Sequence, residues 1–244
     1  VTSATLFSTP ARAADCTRTV LTIVAHEDDD LLFMNPDLLN DIRGGACATT
    51  VFVTAGDAGN GDEYWQEREH GPEAAYSSML SLSPSANWTR SQTTYAGHSV
   101  RTATSPGAGN AKLIYLRLPD GGLQGNGFSS TGNHSIEMLY AGTINTLAAV
   151  DGSTSYTRAG LIETLAAVIS ATNPTTVRIQ DARNGLADHD DHPATGQFSQ
   201  EALIGFGGTV LAYRGYNVVN DPANVTGAAL TRKTNALREY ANHD

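Results

Sequence analysis

Basic residues are scarce in this chain. Fifteen lysines and arginines stand against twenty-five aspartates and glutamates, a formal net charge of −10 at pH 7. That balance argues against a nucleic-acid groove or an anionic membrane surface as partner. No apolar run approaches the roughly 20 residues needed to cross a bilayer. The glycines after the second strand-like run (Gly56, Gly59, Gly61) do not follow the first strand in the order a dinucleotide-binding turn requires, and acids crowd them. What is present is ordinary for an ordered protein: 244 residues, 40% hydrophobic and 16% charged, enough to bury a core.

Cysteine is nearly absent, and its two occurrences are informative. Cys16 and Cys47 each lie four residues before a strand-like apolar run, at Val20 and Val51. If those runs are neighbouring parallel strands, both thiols sit at one end of the sheet, and a Cys16–Cys47 disulfide is expected. A disulfide fits an oxidising, secreted or extracytoplasmic setting. Ala11-Arg12-Ala13 resembles the end of a secretory signal. Residues 1–15 are therefore expected to be a disordered or signal-derived arm, and residues 16–244 one domain.

Strand signals occur at Thr19–Ala25, Thr49–Thr54, Leu113–Leu118, Thr176–Gln180 and Thr209–Tyr213. Helical periods occupy Leu31–Ile42, Glu63–Leu80, Ser135–Val150, Tyr156–Thr172, Ala194–Phe206 and Gly227–Asn242. The alternation predicts an α/β fold, a Rossmann-like and mostly parallel sheet with helices on both faces. Ser91–Lys112, rich in Ser, Thr and Gly with short β-like pieces (TTYAG, SVRTAT), and Asp120–Asn133, with five glycines, read as long loops.

Ligands of such sheets bind outside the carboxyl ends of the strands, where two unusual clusters fall. The first is HEDDD, from His26 to Asp30, at the end of the first strand. One or two acids there would cap a helix; four acids and a histidine exceed that need. The second is DHDDH, from Asp188 to His192, after the fourth strand. Alone it could be a solvated loop. Together the clusters offer imidazoles and carboxylates, a borderline metal's preferred donors. Arg68, early in a helix beside the acids, and Asp120, in the PDGG turn ending the third strand, are candidate substrate contacts. Each also has a plain reading, as a surface ion pair and a turn residue respectively.

These residues resemble a known family. AHEDDD is similar to the A-H-P-D-D-E signature of the LmbE-like, or PIG-L, zinc-dependent N-deacetylases, and HDDHPATG to that family's later H-P-D-H segment. TAGDAG, Arg68 and the PDG at Asp120 follow in the expected order, so the resemblance spans Val20 to Gly196. It implies hydrolysis of an acetamide on an amino sugar with one zinc ion per chain. It also implies His26, Asp29 and His192 as ligands, Asp28 as general base and His189 as oxyanion stabiliser. The chain departs from the signature at Glu27, where the family has proline, and at Asp30, where it has glutamate. The sequence is similar overall to the secreted branch acting on N-acetylglucosaminyl pseudoaglycones of teicoplanin-type glycopeptide antibiotics. The implied partner is thus a small-molecule glycoside. A secreted deacetylase of other amino sugars or polysaccharide fragments is the alternative within the same chemistry, and a non-catalytic, metal-containing carbohydrate-binding module the alternative outside it.

Overall fold

The computed structural model describes residues 16–183 and 187–244; the expected N-terminal arm, residues 1–15, lies outside the described residues. Five strands form the parallel part of the sheet: β1 (Thr19–Val24), β2 (Cys47–Thr54), β5 (Ala111–Leu118), β8 (Thr176–Gln180) and β9 (Thr209–Tyr213). An antiparallel hairpin, β3 (Thr89–Tyr95) and β4 (His98–Thr104), extends it beyond β5. The order is β3-β4-β5-β2-β1-β8-β9. The chain thus builds outward from β1 on one side and then returns to place β8 and β9 on the other. Such a reversal opens a crevice at the carboxyl ends of the two strands that flank it, here β1 and β8.

Apolar side chains fill both faces. Leu21, Ile23, Val51, Ile114, Val177 and Ile179 pack against α3 (Ile136–Ala141), α4 (Arg158–Thr172) and α5 (Asp191–Ala202) through Leu139, Leu165, Val168 and Phe198. Val20, Val24, Phe52, Leu113 and Tyr115 face α1 (Asp37–Arg43), α2 (Asp62–Met79) and α6 (Gly227–Tyr240) through Leu38, Tyr76, Met79 and Tyr240. Burial on both faces is why β1, β2 and β5 read as nearly unbroken apolar runs. Cys16 and Cys47 are joined in a disulfide with a Cα–Cα distance of 5.4 Å, at the end of the β1–β2 register where Thr19 pairs with Cys47. No helix among the described residues is long and apolar enough to cross a membrane.

Three sequence expectations need correction. Ser91–Lys112 is mostly sheet rather than loop. Its hairpin turns at Ala96 and Gly97, both at positive φ (46° and 85°), as a two-residue turn of this hand requires. The β-like pieces TTYAG and SVRTAT fall within this hairpin, but β3 is exposed along most of its length and so lacks the apolar alternation that would mark a full strand. The helical period at Ser135–Val150 ends early, at Ala141. Gly142, at φ 74°, closes the helix by donating its amide to Leu139 and Met138 carbonyls. Leu147–Ala148 (β6) then pairs with Ser155–Tyr156 (β7). The period at Leu31–Ile42 is also split. A wide helical turn at Asp30–Met34 stops before Pro36, which has no amide hydrogen to donate, and α1 starts at Asp37.

Candidate metal centre and active site

The two clusters meet because the ends of β1 and β8 are tied together. Ala25 N–H donates to Gln180 Oε1 at 2.9 Å, and Gln180 Nε2 donates to Asp29 Oδ2 at 3.0 Å. The same Asp29 oxygen accepts the His26 backbone N–H at 2.7 Å, folding the chain back after β1. On the opposite wall, α5 begins at Asp191 and presents His192 from its first turn.

Asp29 Oδ1 and His192 Nε2 face each other at 3.1 Å. Both are buried, and among the described residues neither meets hydrogen-bond geometry with any partner. Orphaned buried polar atoms are costly, and a cation bound to both removes the cost. His26 completes the set, with Nδ1 at 3.3 Å from Asp29 Oδ2; ligand atoms of His26, Asp29 and His192 all lie within 4.8 Å of one another. Two imidazoles and one carboxylate suit a zinc-like ion and leave a coordination position open. The far nitrogen of each imidazole has its own acceptor. His192 Nδ1 lies 2.9 Å from Asp188 Oδ1, and His26 Nε2 lies 3.0 Å from Asp191 Oδ2. Such partners orient metal-binding histidines and fix their tautomer.

The electrostatics fit a cation as well. Burial opposes charge on His192, yet Asp29 and Asp188 push its pKa up to about 9. Burial likewise opposes charge on His26, which Asp29 and Asp191 hold well above the usual histidine range. Burial would raise Asp29, but His192 and His26 pull it well below the usual carboxylate range. A field that retains protons on two buried imidazoles also favours a divalent ion between them.

His189 stands beside this triad. Its Nδ1 accepts the Asp191 backbone N–H at 3.3 Å, and its Nε2 faces Asp120 Oδ1 at 3.6 Å. That hydrogen bond puts the proton of the neutral ring on Nε2. Burial, and then His26, lower the pKa of His189 and favour the neutral form. Asp120 is fixed by the loops around it: its amide donates to Asp57 Oδ1 at 2.8 Å, and its own Oδ1 accepts from Gly122 N–H at 2.7 Å. His26, Asp120, His189 and Asp191 also converge closely enough to hold a cation. Asp191, however, already accepts Gly121 N–H and faces the far nitrogen of His26, so this second group acts as a frame for the first.

Asp28 binds none of these atoms. Its carboxylate is 17% exposed, with Arg68 Nη2 3.6 Å away; burial and the adjacent Asp29 raise its pKa. Arg68 is itself buried. Its Nη1 donates to Gly56 O at 2.5 Å and its Nε to the Tyr240 hydroxyl at 2.8 Å. Glu27 is buried, with neither carboxylate oxygen hydrogen-bonded among the described residues, and burial pushes its pKa up to about 8 against the pull of Arg68. Asp30 turns away from the imidazoles and accepts from Tyr76, whose hydroxyl also meets Thr50; burial pushes Asp30 up to about 7.

The structure therefore brings His26, Asp28, Asp29, Asp120, His189 and His192 to one rim, with Arg68 behind Asp28. Asp188, Asp191, Asp57 and Gln180 were given no role from the sequence. Asp188 carried a usable signal, since it lies one helical turn before His192; Gln180 and Asp57 carried none. Two aromatic rings, Phe33 at 5.7 Å and Tyr216 at 5.5 Å, flank the His192 ring.

Tyr216 follows a glycine that the site needs. A side chain at Gly215 would place its Cβ 2.4 Å from Asp188 Oδ2 and 2.5 Å from His192 Nδ1. Gly215→Ala is expected to dislodge the Asp188–His192 contact and weaken metal binding about 10- to 100-fold. Competition against a chromophoric chelator measures this, and unchanged affinity would show that Asp188 does not orient the ligand.

Residues 21–203 match the family model described as PIG-L: GlcNAc-PI de-N-acetylase. No curated protein matches the chain by sequence. Among solved structures, the chain is similar to the A40926 pseudoaglycone deacetylase Dbv21, at 17% identity over 93% of this chain and 82% of that one, with a TM-score of 0.53. It is similar to the zinc-inhibited form of teicoplanin deacetylase Orf2, at 16% identity over 91% and 84%, with a TM-score of 0.54. The N,N'-diacetylchitobiose deacetylase of Pyrococcus horikoshii gives 16% identity over 93% and 71%, with a TM-score of 0.52. At these identities the likeness is one of fold.

Proposed function

Because the chain belongs to the PIG-L family of GlcNAc-PI de-N-acetylases, we propose that it is a zinc-dependent deacetylase. Its substrate on this reading is an N-acetylglucosaminyl group on a teicoplanin-type glycopeptide pseudoaglycone, met outside the cytoplasm. One observation carries the catalytic part: a buried His26–Asp29–His192 donor set with orphaned atoms stands beside Asp28, a carboxylate that none of those donors needs. A carbohydrate-binding module would have no use for an aspartate beside the donor set but outside it.

When bound, the ion supplies Lewis-acid polarisation and lowers the pKa of a water from 15.7 to about 7. The protein's own groups do the rest. Asp28 accepts a proton from the attacking water as the new C–O bond forms. His189, neutral with its proton on Nε2, donates a hydrogen bond to the oxygen on which negative charge develops. The Asp191 backbone N–H, donated to Nδ1, holds that ring in place. As the C–N bond breaks, the proton taken by Asp28 passes to the leaving nitrogen. Acetate and a free amine result, the elements of water having been added across the amide. The substrate part is supported by the names of the similar structures and by the Phe33 and Tyr216 rings beside His192, since aromatic faces suit an aromatic aglycone.

The test is acetate release by zinc-loaded protein from an N-acetylglucosaminyl pseudoaglycone, free N-acetylglucosamine and N,N'-diacetylchitobiose, with and without chelator. Chelator-sensitive release from the pseudoaglycone alone is expected. Release only from the simple sugars would replace the substrate and keep the chemistry. No release from any of the three would remove the deacetylase reading.

A further inference from the structure

Arg68, an expected substrate contact, spends two of its three guanidinium nitrogens on the protein itself. Its Nη1 is spent on the Gly56 carbonyl and its Nε on the Tyr240 hydroxyl, leaving Nη2 toward Asp28 at 3.6 Å. Tyr240 comes from α6, outside residues 21–203 of the family match. We propose that Tyr240 is a positioning residue of the reaction, holding Arg68 so that the guanidinium fixes the Asp28 carboxylate. The proposal rests on the deacetylase reading and extends it to the C-terminal helix.

The hydrogen bonds run in one direction. The Tyr240 hydroxyl accepts from Arg68 and donates to Asp244 Oδ2 at 3.1 Å. Asp244 Oδ1 accepts the Tyr64 hydroxyl at 2.9 Å and lies 3.4 Å from Arg68 Nε. The tyrosine is therefore a polarised acceptor, locked from behind by a carboxylate. Its ring is also seated by a dedicated gap in α2: a side chain at Gly71 would place its Cβ 2.4 Å from Tyr240 Cδ2. A second gap admits the guanidinium, since a Cβ at Gly56 would fall 2.2 Å from Arg68 Nη1. Two glycines and two helices thus converge on the placing of one side chain.

Asp28 has reason to need such a brace. It lies in a run of four acids, and adjacent carboxylates repel one another at this range. Arg68 is the cation facing Glu27 and Asp28, at 4.0 Å and 3.6 Å. Its rigid planar fork sets direction as well as charge. A general base must point at its water, and small displacements of reacting groups are expensive.

The experiment compares the full chain, zinc-loaded, as wild type, Tyr240→Phe, Arg68→Gln and the double variant. Tyr240→Phe is expected to lower kcat roughly 10- to 100-fold, with KM and bound zinc unchanged. The double variant should be no slower than Arg68→Gln alone. Wild-type kcat in Tyr240→Phe, or a loss that multiplies fully onto that of Arg68→Gln, would overturn the proposal, because helix packing alone predicts those outcomes. If Arg68→Gln does not fold, Asp244→Asn replaces it and should lower kcat in the same way but less. An arginine Nε–H resonance gives a readout that needs no turnover. The Arg68 signal should shift in both Tyr240→Phe and Asp28→Asn, and its constancy in either variant would break the chain of contacts. If wild-type protein released no acetate from any sugar, the deacetylase reading would fall while this signal still decided whether Tyr240 holds Arg68 against Asp28.

Discussion

The expected result for Asp28→Asn is a chain that keeps its metal and loses its turnover. Asparagine has nearly the same shape and leaves an oxygen for Arg68 Nη2, so the turn after β1 has no cause to move. The donor atoms of His26, Asp29 and His192 lose no direct partner, because Asp28 contacts none of them among the described residues. What disappears is the ability to accept a proton from water, worth about 100- to 10,000-fold in rate. Acetate-release kinetics paired with metal analysis of the same sample check both halves. Near-normal turnover would move the base elsewhere. Metal loss would show that Asp28 belongs to the binding set.

A pair of histidine variants should separate two roles that the sequence places only three residues apart. His192→Ala removes the atom facing Asp29 Oδ1 and leaves the Asp29 and Asp188 carboxylates without their common partner. Metal affinity should fall by more than the roughly 10- to 100-fold that loss of an orienting partner costs. His189→Ala leaves all three proposed ligands in place, so metal should remain near one ion per chain. Removing a donor to the developing oxyanion should then lower kcat about 100- to 1,000-fold. Metal content after exhaustive dialysis distinguishes the two, and the opposite pattern would exchange their assignments.

How far the sequence discloses this site depends on which signals are local. The parallel strands are legible because β1, β2 and β5 are buried on both faces and must be apolar throughout. β3 is legible only as the fragment TTYAG, because a mostly exposed edge strand such as TRSQTTY needs no apolar pattern. HEDDD and DHDDH are legible as clusters because each is contiguous, and the strand-end rule brings them together. The burial of Arg68 was hidden, since its Tyr240 partner lies 172 residues away with no periodicity to announce it. Gln180, which binds Asp29 across 151 residues, looks in sequence like any strand-terminal glutamine. Contacts of that separation are selected by the completed sheet rather than by neighbours in the chain.

The reversal of strand order at β1 has a consequence for how the protein matures. The proposed metal donors straddle the seam between β1 and β8, so the early part of the chain holds two of them and the third arrives only when α5 docks. An ion bound there would clasp the two halves of the sheet, and by mass action would stabilise the joined state by about 2.7 kcal/mol at a free concentration 100 times its Kd. Partly folded chains, lacking the seam, would bind the ion weakly. On the proposed metal reading, tight binding and pairing of β1 with β8 are thus thermodynamically linked.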